Sequence, residues 1–269
     1  MNELAMDDSR RPDTERRIRR RAWMRRMIFA LPVLAAGQAF LLEPTWLKLR
    51  WRRTRADTPR HRFVHCSDLH HKGDANYLSR IVAAIHSVSP DFVCFTGDWV
   101  EESKHLDEAL GQFQSIGVPL FGVPGNHDYW SNSDFQRVES VLAKTGGGWL
   151  MDRSMPAAGG RVLISGASCK HSWTPPTPAG VRHLFLMHYP SWADQLMPAQ
   201  YDLLLAGHSH GGQVRLPLYG ALILPGGVGK YELGMYQTPA GPLHVSPGLG
   251  WFHWAVRFNC RPEVTVFEI

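Results

Sequence analysis

The chain of 269 residues is long enough for one large domain or two small ones, and its 44% hydrophobic content excludes a disordered chain. Its four cysteines are too sparse for a disulfide scaffold, and none forms the C-x-x-C pair of a zinc ribbon or redox site. The net charge of +5 divides into +8 over residues 1–60 and −3 over residues 61–269, so the acidic partner to expect is a membrane surface, with no nucleic acid expected.

Nine arginines precede Met27, and the uncharged run "MIFALPVLAAGQAFLL" follows over residues 27–42. Sixteen helical residues reach roughly 24 Å, short of the roughly 30 Å hydrocarbon core, and Pro32 and Gly37 weaken a straight span. Three readings stay open: a short signal-anchor, a secretory or twin-arginine signal, and an amphiphilic segment lying on the bilayer. A core helix of a soluble protein is the bland alternative, and the basic flanks argue against it. Basic residues stand on both sides, "KLRWRRTR" among them, so no orientation follows. The expected organisation is a basic tail over 1–26, a membrane anchor or signal over 27–42, and a folded body over 43–269.

From residue 61 short apolar runs alternate with helical patterns. "RFVHCS" (62–67), "DFVCFT" (91–96) and "PLFGV" (119–123) read as strands, and Cys66 and Cys94 as buried thiols within them. Helices are expected over 76–88, capped by Asp74 or Asn76, over 105–116 and near 133–145. Further strands are expected at 161–166, 183–187, 202–206, 213–216, 243–246 and 264–268, with "SWTPPTPAG" (172–180) a loop. Helices thin out in this half, which favours a mixed α/β layered fold over a purely parallel one.

The polar residues fall just past strand ends. Asp68 and His70 follow the first strand, Asp98 the second, and Asn126, His127 and Asp128 the third. His188 ends "HLFLMH"; His208 and His210 follow "YDLLLAG". Open α/β sheets place their sites at such ends. Carboxylates with imidazoles and no thiolate suit manganese, iron or zinc. Seven donors exceed what one ion needs, whereas two ions sharing Asp98 as a bridge account for Asp68, His70, Asp98, Asn126, His188, His208 and His210. Paired ions suit phosphoryl transfer.

In order and type, "DLH", "GDW", "GNHD", "MH" and "GHSH" resemble the motifs of the calcineurin-like metallophosphoesterase family, over about residues 61–269. "GHSHGGQ", "EPTWLKLRW" and the C-terminal "NCRPEVTVFEI" are similar to its membrane-linked bacterial branch of phosphodiesterases and UDP-2,3-diacylglucosamine pyrophosphatases. The resemblance implies a four-layer α-β-β-α sandwich of two mixed sheets with helices outside. It also implies two divalent ions, manganese first and iron or zinc next. Asp68, His70, Asp98 and His210 would hold one ion, and Asp98, Asn126, His188 and His208 the other. Water would attack phosphorus in line, and His127, held by Asp128, would stabilise the transition state or protonate the leaving oxygen.

The expected protein is thus a membrane-associated bacterial hydrolase of a phosphodiester or pyrophosphate in a lipid-linked substrate, UDP-2,3-diacylglucosamine being the first candidate. Two alternatives stand beside it, a nucleotide phosphodiesterase or nuclease and a metal-free binding scaffold. His71 is placed near the site as a possible substrate contact. Trp99, Trp130 and Trp192 each stand within four residues of a motif and Trp251 and Trp254 near the end, as core packing or as an apolar wall for an acyl chain or base.

Overall fold

The computed structural model describes residues 11–53, 61–171, 173–176, 179–198 and 200–269. Residues 1–10 of the expected tail and part of the expected 172–180 loop lie outside them. The elements in chain order are α1 (Arg11–Gly37), β1 (Lys48–Arg53), β2 (Arg62–Cys66), α2 (Ala75–Ser87), β3 (Phe92–Phe95), α3 (Leu106–Gln114), β4 (Leu120–Gly122), α4 (Asn126–Trp130) and α5 (Phe135–Lys144). There follow β5 (Gly148–Trp149), β6 (Arg153–Ala157), β7 (Val162–Gly166), β8 (Arg182–Leu186), β9 (Leu203–Ala206), β10 (Arg215–Leu216), β11 (Gly220–Ala221), β12 (Gly234–Thr238), β13 (Gly241–Val245) and β14 (Glu263–Glu268).

Among the described residues two six-stranded mixed sheets form, ordered β1-β14-β2-β3-β4-β5 and β12-β13-β9-β8-β7-β6. Their facing surfaces meet in a core where Phe63, Phe92, Phe121 and Phe267 of the first sheet pack on Ile164, Leu184, Leu186, Leu203 and Leu205 of the second. Strand period sorts the two faces. Leu184 and Leu186 point into this core while Phe185 points outward, and Leu204 and Ala206 do the same between Leu203 and Leu205. Strands buried on both faces read as unbroken apolar runs, which is why "HLFLM" and "LLLA" carry no polar alternation.

Helices cover the outer face of the first sheet. α2 buries Tyr77, Leu78, Ile81, Val82 and Ile85, the 3.6-residue stripe of the sequence, and Asp74 caps it by accepting the Tyr77 N–H at 2.9 Å. Asp134 caps α5 in the same way through the Arg137 N–H. Over the second sheet the outer layer is thin: the helical turn Pro190–Gln195 and the segment around Tyr231 close a third cluster on Phe185, Leu204 and Val245.

Several elements differ from expectation. The stretch "NHDYW", expected only as the residues that follow the third strand, is the short helix α4. The basic flank "KLRWRR" is strand β1, which lies at the sheet edge in parallel with β14, its arginines paired as Arg50–Glu263 at 2.7 Å and Arg53–Glu268 at 3.5 Å. An edge strand tolerates such charge and is protected by it. Strands β5, β6, β11 and β12 are short or exposed, and their sequences carry little apolar patterning.

One topological fact positions the N-terminus. β14 runs antiparallel to β2 and β1 runs parallel to β14, so β1 starts at the edge where β2, β3 and β4 end. The helical stretch Glu15–Thr45, long and apolar enough to cross a membrane by length and composition, therefore meets the domain at that same edge. Its end is tied down: Ala39 O accepts the Arg257 N–H at 2.9 Å, and the Glu43 carboxylate accepts the Cys260 N–H at 3.1 Å.

Phe63 stacks between Phe92 and Phe267, with centroids 5.1 Å from each, and is fully buried. Phe63→Ala should cost about 3–5 kcal/mol of unfolding free energy, read from the urea midpoint at unchanged slope in detergent-solubilised protein.

Candidate active site

Five strand ends deliver the site, and the backbone bends sharply to do so. Asp68, His70, Asp98, His208 and His210 all adopt positive φ, between 43° and 67°, a region that side chains other than glycine rarely occupy. Such strain clusters where the surrounding structure over-determines a site. Glycines make the approach possible: a Cβ on Gly125 would overlap the Asp98 carboxylate, and one on Gly207 would overlap Ser67 and Asp68.

The structure brings all seven expected ligands together, buried, in two overlapping sets. Asp68, His70 and His210 offer donor atoms within 4.8 Å of one another, and Asp98, His188 and His208 do likewise. Asp98 Oδ2 lies between them, 3.4 Å from His70 Nε2 and 3.3 Å from His188 Nε2. Asn126 Oδ1 joins the second set 2.9 Å from His188 Nε2.

The outer ring nitrogens fix how the inner ones present themselves. His70 Nδ1 donates to Glu101 at 2.6 Å, His188 Nδ1 donates to Thr96 O at 2.8 Å, and His208 Nε2 donates to Gly226 O at 2.6 Å. Each bond leaves a lone pair on the inner nitrogen, the arrangement that orients metal-binding imidazoles. Those inner atoms face one another, His70 Nε2 3.0 Å from His210 Nε2 and His188 Nε2 3.1 Å from His208 Nδ1. Lone pairs so opposed are relieved by a proton or a metal cation between them, and the carboxylates supply the balancing charge. The residues fit a pair of divalent ions.

Electrostatics agree. Burial alone would raise the Asp98 carboxyl, but the His188 charge and hydrogen bond, then His70 and His127, carry it below the ordinary carboxylate range. Burial pushes Asp68 up, opposed by His188 and assisted by Asp98. Burial would lower His188, but Asp98 and then Asp68 lift it to about 9. The anions thus demand positive charge here, which bound cations meet as well as a proton does. Burial and the His188 charge push His208 down to about 3, and burial with His70 and Arg257 pushes His210 well down.

Two expected roles are corrected. Asp128 does not hold the His127 ring: its buried carboxylate accepts the backbone N–H groups of Asp98 at 2.8 Å, Trp99 at 2.9 Å and Gly125 at 2.8 Å, clamping two ligand loops together. Burial and Asp98 raise its carboxyl to about 6. His127 is held by Glu101 instead, Nδ1 to Oε2 at 3.3 Å, while the same carboxylate orients His70. Burial would lower His127, yet Glu101 and Asp98 carry it upward. His71, expected against substrate, is a buried ring spent on Glu108 at 2.8 Å and packed on His105 of the α3 side.

The tryptophans divide. Trp99 is core, stacked on Phe95 at 3.7 Å. Trp130 is 67% exposed, its ring 4.8 Å from His127. Phe252 also packs on His127, with ring centroids 5.2 Å apart. Phe252 is held by Gln213 of the "GHSHGGQ" segment, whose Oε1 accepts the Phe252 N–H at 2.6 Å. Glu101 carries a sequence signal, an acid three residues past Asp98; Gln213 and Arg257 carry no local one.

The calcineurin-like phosphoesterase family model matches residues 61–212. The chain is similar to the uncharacterized metallophosphoesterase YkuE of Bacillus subtilis, 29% identical over 210 residues and covering 71% of this chain and 72% of that protein. It is similar to the phosphodiesterase YaeI of Escherichia coli, 26% identical over 254 residues, covering 87% and 92%. It is also similar to the UDP-2,3-diacylglucosamine pyrophosphatase LpxG of Chlamydia trachomatis, 39% identical over 313 residues, covering 90% and 94%.

Gly125→Ala forces the Asp98 carboxylate and the His188 ring to move. Metal content of the purified variant should fall below one ion per chain with the circular dichroism spectrum retained; wild-type content in the variant would contradict this geometry.

Proposed function

The chain belongs to the calcineurin-like phosphoesterase family of metal-dependent hydrolases, and from that premise we propose that it cleaves a phosphodiester or pyrophosphate carried by a membrane lipid, UDP-2,3-diacylglucosamine being the first candidate. The family implies two divalent metals. The observation that carries the lipid-linked part is spatial: a helix apolar enough to cross a membrane joins the domain at the very edge where the site opens. The relation to LpxG, over most of both chains, supports the same substrate class.

Asp68, His70, Asp98 and His210 would hold one ion, and Asp98, Asn126, His188 and His208 the other. The hard carboxylate and imidazole donors suit manganese, with iron or zinc as alternatives. When bound, the pair supplies charge to activate water and stabilise a phosphoryl transition state. The chain's own residues do the rest. Glu101 keeps His70 in the ligating tautomer and holds His127 through Nδ1, so that the His127 Nε2 proton would neutralise a leaving oxygen. Asp128 fixes the spacing of the Asp98 and Asn126 loops. Trp130 and Phe252 flank His127 as an apolar rim that keeps bulk water from the reacting phosphate. The N-terminal helix keeps the protein on the membrane that carries the substrate.

With manganese and UDP-2,3-diacylglucosamine in mixed micelles, wild type should release UMP, and Asn126→Ala should lose at least about a hundredfold in turnover. Hydrolysis of an aryl phosphodiester without any UMP release would remove this substrate and leave the phosphodiesterase. Trp130→Ala should lower kcat/KM for the lipid-linked substrate about tenfold, the worth of one good aromatic contact, and for an aryl phosphodiester less than about twofold. Equal losses on both substrates would exclude Trp130 as a wall for the lipid portion.

A further inference from the structure

Beyond "GHSHGGQ" the chain runs "LPLYGALILPGGVG" over residues 216–229 without one charged side chain. The structure folds the start of this stretch into the β10–β11 hairpin and leaves it bare. Leu216, Leu218, Tyr219, Leu222 and Ile223 are all exposed, Leu218 completely and Ile223 by 79%. Leu218 and Tyr219 form the turn, and Leu222 and Ile223 follow β11 at the hairpin's base; exposed apolar side chains along one such segment in water mark a surface made for a partner.

Its place in the fold says which partner. The segment is tied to the active site: the loop that carries His210 leads into it through Gly211–Arg215, and Gly226 O accepts the His208 Nε2–H within it. The base of the hairpin is fixed to the strap at residues 257–260, where Arg215 donates its N–H to Phe258 O at 2.9 Å, Phe258 donates to Gln213 O at 2.8 Å and Asn259 Nδ2 donates to Arg215 O at 3.1 Å. The same strap carries the end of the apolar helix, since Arg257 N–H donates to Ala39 O and Cys260 N–H to Glu43. Arg257 itself is wholly buried, its guanidinium donating to the carbonyls of Pro247, Gly250 and Cys260, so the strap is rigid. Adjacent residues of one rigid strap therefore hold the helix end and the hairpin base.

The surroundings of the strap match a bilayer interface. Phe40, Leu41, Leu42, Trp46 and Trp254 are exposed. Arg261 stacks over Trp46 at 3.9 Å, and Lys48 and Arg52 line the adjoining cavity of about 570 Å³, in which Arg50 is already paired with Glu263. Amphipathic aromatics with cations beside exposed apolar side chains are the composition of the headgroup region, and Arg261, Lys48 and Arg52 complement anionic lipids.

We propose that the β10–β11 hairpin and the residues that follow it are a second membrane contact, inserting Leu218 of the turn and Ile223 beyond β11 into the bilayer beside the N-terminal helix so that the mouth of the site faces the lipid surface. The proposal rests on the reading that this helix is membrane-embedded. It adds that two tethers fix the tilt of the domain, where a helix alone would let it swivel.

The test uses the full chain in phosphatidylethanolamine–phosphatidylglycerol vesicles, with a nitroxide on Leu218→Cys or, separately, Ile223→Cys. The four native cysteines are buried, so labelling is directed to the introduced thiol. In vesicles both labels should collide with oxygen and lose collisions with a water-soluble nickel chelate, while a label on Arg161→Cys, exposed at the opposite end of the strands, keeps them. A chain that floats with vesicles yet leaves both hairpin labels open to the chelate overturns the hairpin contact alone. Spin–spin broadening without oxygen preference overturns it in favour of contact between copies of the chain. A chain that fails to float overturns the reading of the helix, and this inference with it.

Discussion

The interaction on which the rest of this structure depends is the enclosure of two aspartates and four histidines in one water-excluded patch. Burying a carboxylate costs several kcal/mol unless charge and hydrogen bonds compensate it. Here Asp68 and Asp98 are almost wholly enclosed, and the compensation is built from every side. Imidazoles face them, the His208 N–H lies on Asp68, and the His127 N–H lies on Asp98. The demand for positive charge at that point is what a pair of divalent ions satisfies. The left-handed backbone at five of the ligands and the glycines packed against them follow from the same requirement, because seven donors can converge only if their loops turn back within a residue or two of each strand end.

A second layer of anions keeps this arrangement in register. Asp128 and Glu101 touch no expected ligand atom on its inner side; each joins two loops. Asp128 ties the turn after β3 to the turn after β4 through backbone N–H groups, and Glu101 ties His70 to His127 through their outer nitrogens. Both therefore convert the flexibility of surface loops into fixed distances, and phosphoryl transfer is sensitive to such distances. The third shell is the strap held by Arg257. It reaches the Asp68 loop through the N–H groups of Leu249 and Gly250, which donate to Asp68 O, and on its other side meets the apolar helix and the uncharged hairpin. Catalytic edge and apolar surfaces are thus one mechanical unit.

The two sheets and their helices were largely legible. The strands with strong apolar runs and the helices with a 3.6-residue stripe stand where the patterns put them, because both signals come from burial that the layered fold imposes. The elements that escaped have physical reasons. β1 is a charged edge strand whose apolar pattern is faint, and its partner β14 lies more than two hundred residues away. β5 and β11 are two residues long, too short for any period. α4 begins on Asn126 with Asp128 accepting the N–H of Gly125, a helix start that a polar turn imitates in sequence.

The sequence by itself determined the chemistry: donors of carboxylate, imidazole and amide type, each placed at a strand end, in an order specific to one family. Those are local properties, and a strand end is recognisable wherever an apolar run stops at glycine and a polar group. Only the tertiary structure decided the partnerships. It gave His127 to Glu101 and not to its sequence neighbour Asp128, turned His71 into the helix layer, and set the hairpin beside the N-terminal helix on one strap. Side-chain direction, strand order and the pairing of β1 with β14 fix those relations. All three depend on contacts between residues distant in the chain, which no local pattern encodes.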